Sequence, residues 1–129
     1  MLRPIGMFAL AAAAVLAGPA SAHHTFAMFD LTKVVTLSGT LKDFQWTNPH
    51  VWVELVVPDA SGGTTEWNIE GGSPNALVRK GWKLSALKIG SKVTVTIHPL
   101  KTGVHGGSLL TITPDGGKTL EDAISEGKV

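Results

Sequence analysis

From Val35 onward, apolar and polar residues alternate with period two along most of the chain, the pattern of strands that turn one face to a core. Val35, Leu37, Gly39 and Leu41 alternate with Thr36, Ser38, Thr40 and Lys42. The parity then slips at Lys42-Asp43, and Phe44 and Trp46 continue on even numbers. Such a slip predicts a β-bulge, and with Gly39 it lets a long first strand bend sharply. Asn48-Pro49 makes the next turn. A second strand carries Val51, Val53, Leu55 and Val57 inward, with His50, Trp52 and Glu54 on the other face. Pro58-Asp59-Ala60-Ser61-Gly62-Gly63 reads as a hairpin loop. The third strand, Thr64 to Glu70, turns Trp67 and Ile69 inward and Glu66, Asn68 and Glu70 outward.

One helix interrupts the strands. Ser73 suits its N-cap and Pro74 its first turn, Ala76 to Lys80 continue it, and Gly81 supplies a left-handed C′ residue with Trp82 packing back behind it. Gly90-Ser91 opens a fourth strand with Val93, Val95 and Ile97 inward. Gly106-Gly107 precedes a fifth, expected to face Leu110 and Ile112 inward, and Asp115-Gly116-Gly117 closes it. Five strands, a bent first strand and a helix between the third and fourth predict a mainly-β, OB-like Greek-key barrel. A small β-sandwich is the competing architecture; the position of the helix favours the barrel.

The first 22 residues break this pattern. Arg3 precedes an apolar run from Met7 to Ala17, Gly18-Pro19 interrupts it, and Ala20-Ser21-Ala22 offers a small-x-small cleavage site. These are the three parts of a secretory signal, and the run is shorter than the roughly 20 apolar residues a membrane span needs. The expected organisation is a cleaved signal peptide (1–22), a barrel domain (23–118) with an N-terminal arm (23–33), and a flexible tail (119–129). The expected location is the periplasm, with no stable membrane insertion after cleavage. Removing residues 1–22 from 129 leaves 107 residues, with ten cationic against ten anionic side chains. A chain of that length makes one domain. Its neutral balance gives no general drive toward nucleic acid or anionic lipid. The chain contains no Cys, so an apolar core must supply the stability that disulfides would otherwise add.

Several segments together carry a resemblance. They are Ala22-His23-His24-Thr25-Phe26-Ala27-Met28-Phe29-Asp30, Gly39-Thr40-Leu41, Trp46-Thr47-Asn48-Pro49-His50, Gly72-Ser73-Pro74, Gly81-Trp82 and Pro114-Asp115-Gly116. In these the chain resembles a family of small exported proteobacterial proteins classed as a domain of unknown function. The resemblance spans nearly all of the expected mature chain. It implies a periplasmic location and carries no catalytic assignment.

Two places hold candidate chemistry. Cleavage after Ala22 would give His23 a free α-amine beside its own imidazole, and these two nitrogens can close a chelate ring on one metal ion, with His24 adjacent. An α-amine titrates near ~8, so a metal can displace its proton at modest cost. Nitrogen donors in a tetragonal arrangement suit Cu(II). A further imidazole would come from His50, His98 or His105. The bland alternative is a solvated terminus, although Phe26, Met28 and Phe29 are apolar enough to want a docking surface. The second place is the outward face of strands two and three, where His50, Trp52, Glu54, Glu66, Asn68 and Glu70 are neighbours. An exposed Trp beside carboxylates and an amide suits stacking on a sugar or small organic ligand, unless the arm or the helix covers it. Trp46, Trp67 and Trp82 read as core.

No catalytic set is complete. The carboxylates of neighbouring strands are ordinarily a solvated face, no Ser/His/Asp set has supporting context, and Gly71-Gly72-Ser73-Pro74 lacks the Lys of a phosphate loop. The expectation is therefore a non-enzymatic exported binding protein. It holds copper through the N-terminal histidines or, alternatively, a sugar, small molecule or envelope protein on the strand face. Neutral charge argues against nucleic acid as a partner.

Overall fold

The computed structural model describes residues 27–123; the expected signal peptide, His23, His24 and residues 124–129 lie outside the described residues. The strands are β1 (Val35–Gln45), β2 (Trp52–Pro58), β3 (Thr64–Glu70), β4 (Lys92–Pro99), β5 (Gly106–Pro114) and β6 (Leu120–Glu121). One helix, α1 (Pro74–Arg79), and a 3-10 turn (Leu84–Ala86) lie between β3 and β4. The sheet runs β3-β2-β1-β4-β5-β6, and a parallel pairing of β3 with β5 (Asn68 with Gly106, Ile69 with Gly107, Glu70 with Ser108) closes five strands into a barrel. This is the mainly-β OB-like barrel expected from the alternation. No helix among the described residues is long and apolar enough to cross a membrane.

β1 belongs to both halves of the barrel, which is why it must bend. Its first half pairs with β4, from Val35 against Ile97 to Thr40 against Lys92, and its second half pairs with β2. The β2 register passes from Leu41 opposite Leu55 to Asp43 opposite Glu54, so Lys42 and Asp43 form the bulge that the parity slip predicts. At the bend, a Cβ on Gly39 would lie 2.3 Å from the Val56 carbonyl oxygen. Only glycine lets the two backbones approach that closely.

The core follows the inward parity: Leu37, Leu41, Val51, Val53, Leu55, Ile69, Val93, Val95, Ile97 and Ile112 are buried, and Phe44, Trp46 and Trp67 pack partly against them. One residue departs from it. Leu109, not Leu110, enters the core. The β4–β5 register jumps from Thr96 opposite Thr111 to Ile97 opposite Leu109, leaving Leu110 as the extra residue of a second bulge.

The helix seals one end. Ser73 Oγ accepts the Ala76 N–H, and Pro74 occupies the first turn. At the far end Gly81 has φ 93°, the Gly81 N–H donates to Val78 O, and the Trp82 N–H donates to Leu77 O. These paired bonds form the Schellman arrangement. They turn Trp82 back into the core, where it is buried and its Nε1–H donates to Glu121 O at 2.8 Å.

That last bond corrects the expectation of a flexible tail from residue 119. Leu120 and Glu121 pair with β5, Asp122 is fully buried, and its N–H donates to the carbonyl of the bulged Leu110. The barrel domain therefore continues to Ala123. At the other end the arm docks: Phe29 bridges Leu100 and is buried, the Asp30 N–H donates to Pro99 O, and the Lys101 N–H donates to Met28 O.

Candidate functional site

Antiparallel register places the outward residues of β1, β2 and β3 in rows. Gln45, Trp52 and Glu70 form one row, Asp43, Glu54 and Asn68 the next, and Thr40, Val56 and Glu66 the third. Trp52, Glu54, Glu66, Asn68 and Glu70 of the expected face fall in these rows, and His50 lies just before β2. The described part of the arm, residues 27–33, is held at the end of β4; Trp52 is half-buried and pairs in register with Gln45 on one side and Glu70 on the other. The β1 residues Gln45 and Lys42 are additions. Lys42 Nζ lies 2.7 Å from Glu66 Oε1, and this bonded carboxylate raises the Lys42 pKa above its ordinary value. Carrying the parity slip through to odd numbers would have found Gln45.

His50 joins the rim of this face. Its Nδ1 lies 3.0 Å from Gly71 O and its Nε2 lies 3.5 Å from Glu70 Oε1. A carbonyl only accepts, so Nδ1 carries the proton and donates. Thr47 Oγ1 donates to His50 O across the Trp46–His50 turn, whose Asn48-Pro49 bond is cis.

The three described imidazoles have separate supports. His50 leans on the β3–α1 connection, His98 Nδ1 donates to Lys33 O at 2.7 Å, and His105 packs against Trp67 with centroids 4.9 Å apart and the rings tilted by 50°. Among the described residues no three His, Asp or Glu side chains are grouped to hold a metal ion. The proposed chelate at His23 and His24 lies outside the described residues.

An open groove of about 530 Å³ lies between the β2–β3 hairpin and the ends of β4 and β5, bordering the third row of the face through Thr40 and Val56. Ser38, Thr40, Pro58, Lys92, Thr113 and Asp115 are among its lining, and no candidate residue reaches it.

A model of a family of unknown function, DUF6152, matches residues 11–109. The chain belongs to that family. The DUF6152 match contains the arm, the bulged β1, the Trp52 face and α1, and it stops at Leu109, before the second bulge and the buried Asp122. No curated protein and no solved structure matches the chain. Membership of DUF6152 thus brings no activity with it, and the chemistry must be argued from the residues.

Proposed function

We propose that the protein is an exported, non-catalytic binding module that holds a saccharide or similar hydroxyl-bearing molecule on the outer face of β1–β3. The row Gln45–Trp52–Glu70 carries this reading. The open part of the half-buried indole offers an apolar surface to the C–H face of a sugar ring, while the flanking amide and carboxylate can meet its hydroxyls. Asn68 and Glu54 extend the polar border by one row, and OB barrels commonly use this strand face for oligosaccharides. Arg3, the apolar run at 7–17 and Ala20-Ser21-Ala22 support export and a mature chain starting at His23. The test is a titration with mono- and disaccharides, following the Trp52 indole N–H by NMR. Trp52→Ala should abolish saccharide binding measured by calorimetry, in a barrel that still unfolds cooperatively. If no saccharide moves that resonance, the reading fails.

A second reading has its own support. The Lys101 N–H donates to Met28 O, so the described arm begins beside the loop that carries His105, and His98 keeps Nε2 available because Nδ1 is engaged. His23, through its amine and imidazole, and His24 would then meet one of these rings around a copper ion. Mass spectrometry of the mature terminus and copper titration of untagged protein test this; binding unaffected by His23→Ala removes it.

A further inference from the structure

Acidic and basic side chains are segregated along this chain. Residues 43–70 carry five carboxylates and no Lys or Arg, whereas residues 71–114 carry Arg79 and five Lys with no Asp or Glu. Folding turns that order into geography. Glu54, Glu66 and Glu70 lie on β2 and β3, while Arg79, Lys80, Lys83 and Lys88 lie on α1 and the cap that follows it. A net charge near zero hides this separation, to which Glu121 is an exception: its carbonyl accepts the Trp82 Nε1–H, which brings an exposed acidic residue beside the cap.

The cap also exposes aliphatic groups. Leu77, Trp82 and Leu87 are buried against the barrel, so the residues between them turn outward. Val78, Leu84 and Ile89 are 56, 61 and 55% exposed, and they alternate with the exposed Arg79, Lys83 and Lys88. Those three cations form no salt bridge among the described residues.

We propose that residues 78–89 form a docking surface for an anionic lipid bilayer. Val78, Leu84 and Ile89 enter the interfacial layer, and Arg79, Lys83 and Lys88 meet phosphate headgroups. Separated aliphatic side chains on a cationic field fit a fluid interface. Single-stranded nucleic acid would call for exposed aromatics to stack its bases, and a protein interface for aromatic anchors; the exposed apolar residues of the cap include neither. The acidic face of a second copy is a poorer complement, because Glu66 and Glu70 already face Lys42 and His50.

Co-sedimentation of the full chain with two kinds of vesicle tests this: phosphatidylcholine alone, and phosphatidylcholine with phosphatidylglycerol in equal parts. Residues 1–22, with Arg3 and the apolar run at 7–17, are the same in every variant, so the readout is the ratio of the two affinities and its change from parent to variant. Each surface cation contributes about fivefold, so the anionic vesicles should bind at least about tenfold more tightly. That preference should vanish at about 1 M salt, where the screening length is about 3 Å. Lys83→Glu with Lys88→Glu should abolish it, and Leu84→Ser with Ile89→Ser should weaken anionic binding severalfold. Lys118→Glu, in the turn before β6, should leave it unchanged, and all variants should melt like the parent. Equal binding to the two vesicles, a preference that survives the charge reversals, or unchanged binding of the serine variant would overturn the proposal. So would salt-sensitive self-association without vesicle binding, which would assign the cap to the acidic strands of another copy.

Discussion

The carboxylate of Asp122 accepts the backbone N–H of Gly72 at 2.8 Å, fifty residues back in the chain. Both groups are buried, and the bond ties the final described segment to the entry of α1. Asp122→Ala would leave a buried donor without this acceptor, at a cost of about 1–3 kcal/mol. For a domain of this size the melting temperature should fall by about 4–8 °C per kcal/mol. Asp122→Asn keeps an acceptor oxygen and should lose less. Thermal unfolding of the two variants checks the order, and equal losses would show that the hydrogen bond is not what matters.

Two glycines should fail for different reasons. Gly81 has φ 93° with open space where a methyl group would stand, so Gly81→Ala meets only the left-handed backbone penalty, about 1–2 kcal/mol. Asn tolerates that conformation, and Gly81→Asn should recover part of the loss. At Gly39 a Cβ would strike the Val56 carbonyl oxygen. Gly39→Ala should cost about 1–3 kcal/mol or more through forced backbone shifts, and Gly39→Asn should be no better. Denaturant unfolding of the four variants decides it.

Where parity could be read on both sides of an irregularity, the sequence exposed the fold. Leu37 and Leu41 before Lys42-Asp43, and Phe44 after it, locate the first bulge. Ser73, Pro74 and Gly81 mark both ends of α1 by their capping chemistry. The second bulge stayed hidden because Leu109 and Leu110 are both apolar, so alternation cannot tell which one the core takes. β6 has only two residues, and its hold depends on partners distant in sequence: Trp82, Leu110 and, through Asp122, Gly72. At the candidate site, alternation placed His50, Trp52 and Glu70 on one face. Gln45 follows from the same parity slip, but its pairing with Trp52 is set across the 46–51 turn, which no single strand's pattern reveals. His23 and His24 lie outside the described residues.

The arm should open as a unit of its own. Phe29 is buried, yet Met28, Leu31 and Val34 around it are exposed, and its backbone is held by a few bonds to Pro99 and Lys101. Such a segment unfolds locally at less cost than the barrel. In Phe29→Ala, the Asp30 and Lys101 amides should exchange hydrogen markedly faster, while those of Val53 and Val95 keep nearly their original rates. Uniform acceleration would show that the arm is an integral part of the barrel's cooperative unit. If the second functional reading holds, the same variant should also weaken copper binding, because Phe29 anchors the chain that leads to His23 and His24.

Acid should loosen the β2–β3 hairpin through Asp59. Its carboxylate accepts the Ser61 hydroxyl and the N–H groups of Ser61 and Gly63, and the Ser61 hydroxyl is the main cause that lowers its pKa from the usual 3.8. Because the folded value lies below the unfolded one, the stabilising contribution is complete above the unfolded pKa and disappears as pH falls through the folded value. Asp59→Asn keeps one acceptor oxygen but cannot titrate. Its stability should therefore lie below that of the parent at neutral pH, and the two should converge as the solution is acidified from about pH 6 to about pH 2, through the carboxylate range. Denaturant melts across that range measure the gap. A gap that stays constant with pH would mean that Asp59 holds the loop by shape, with its charge contributing nothing.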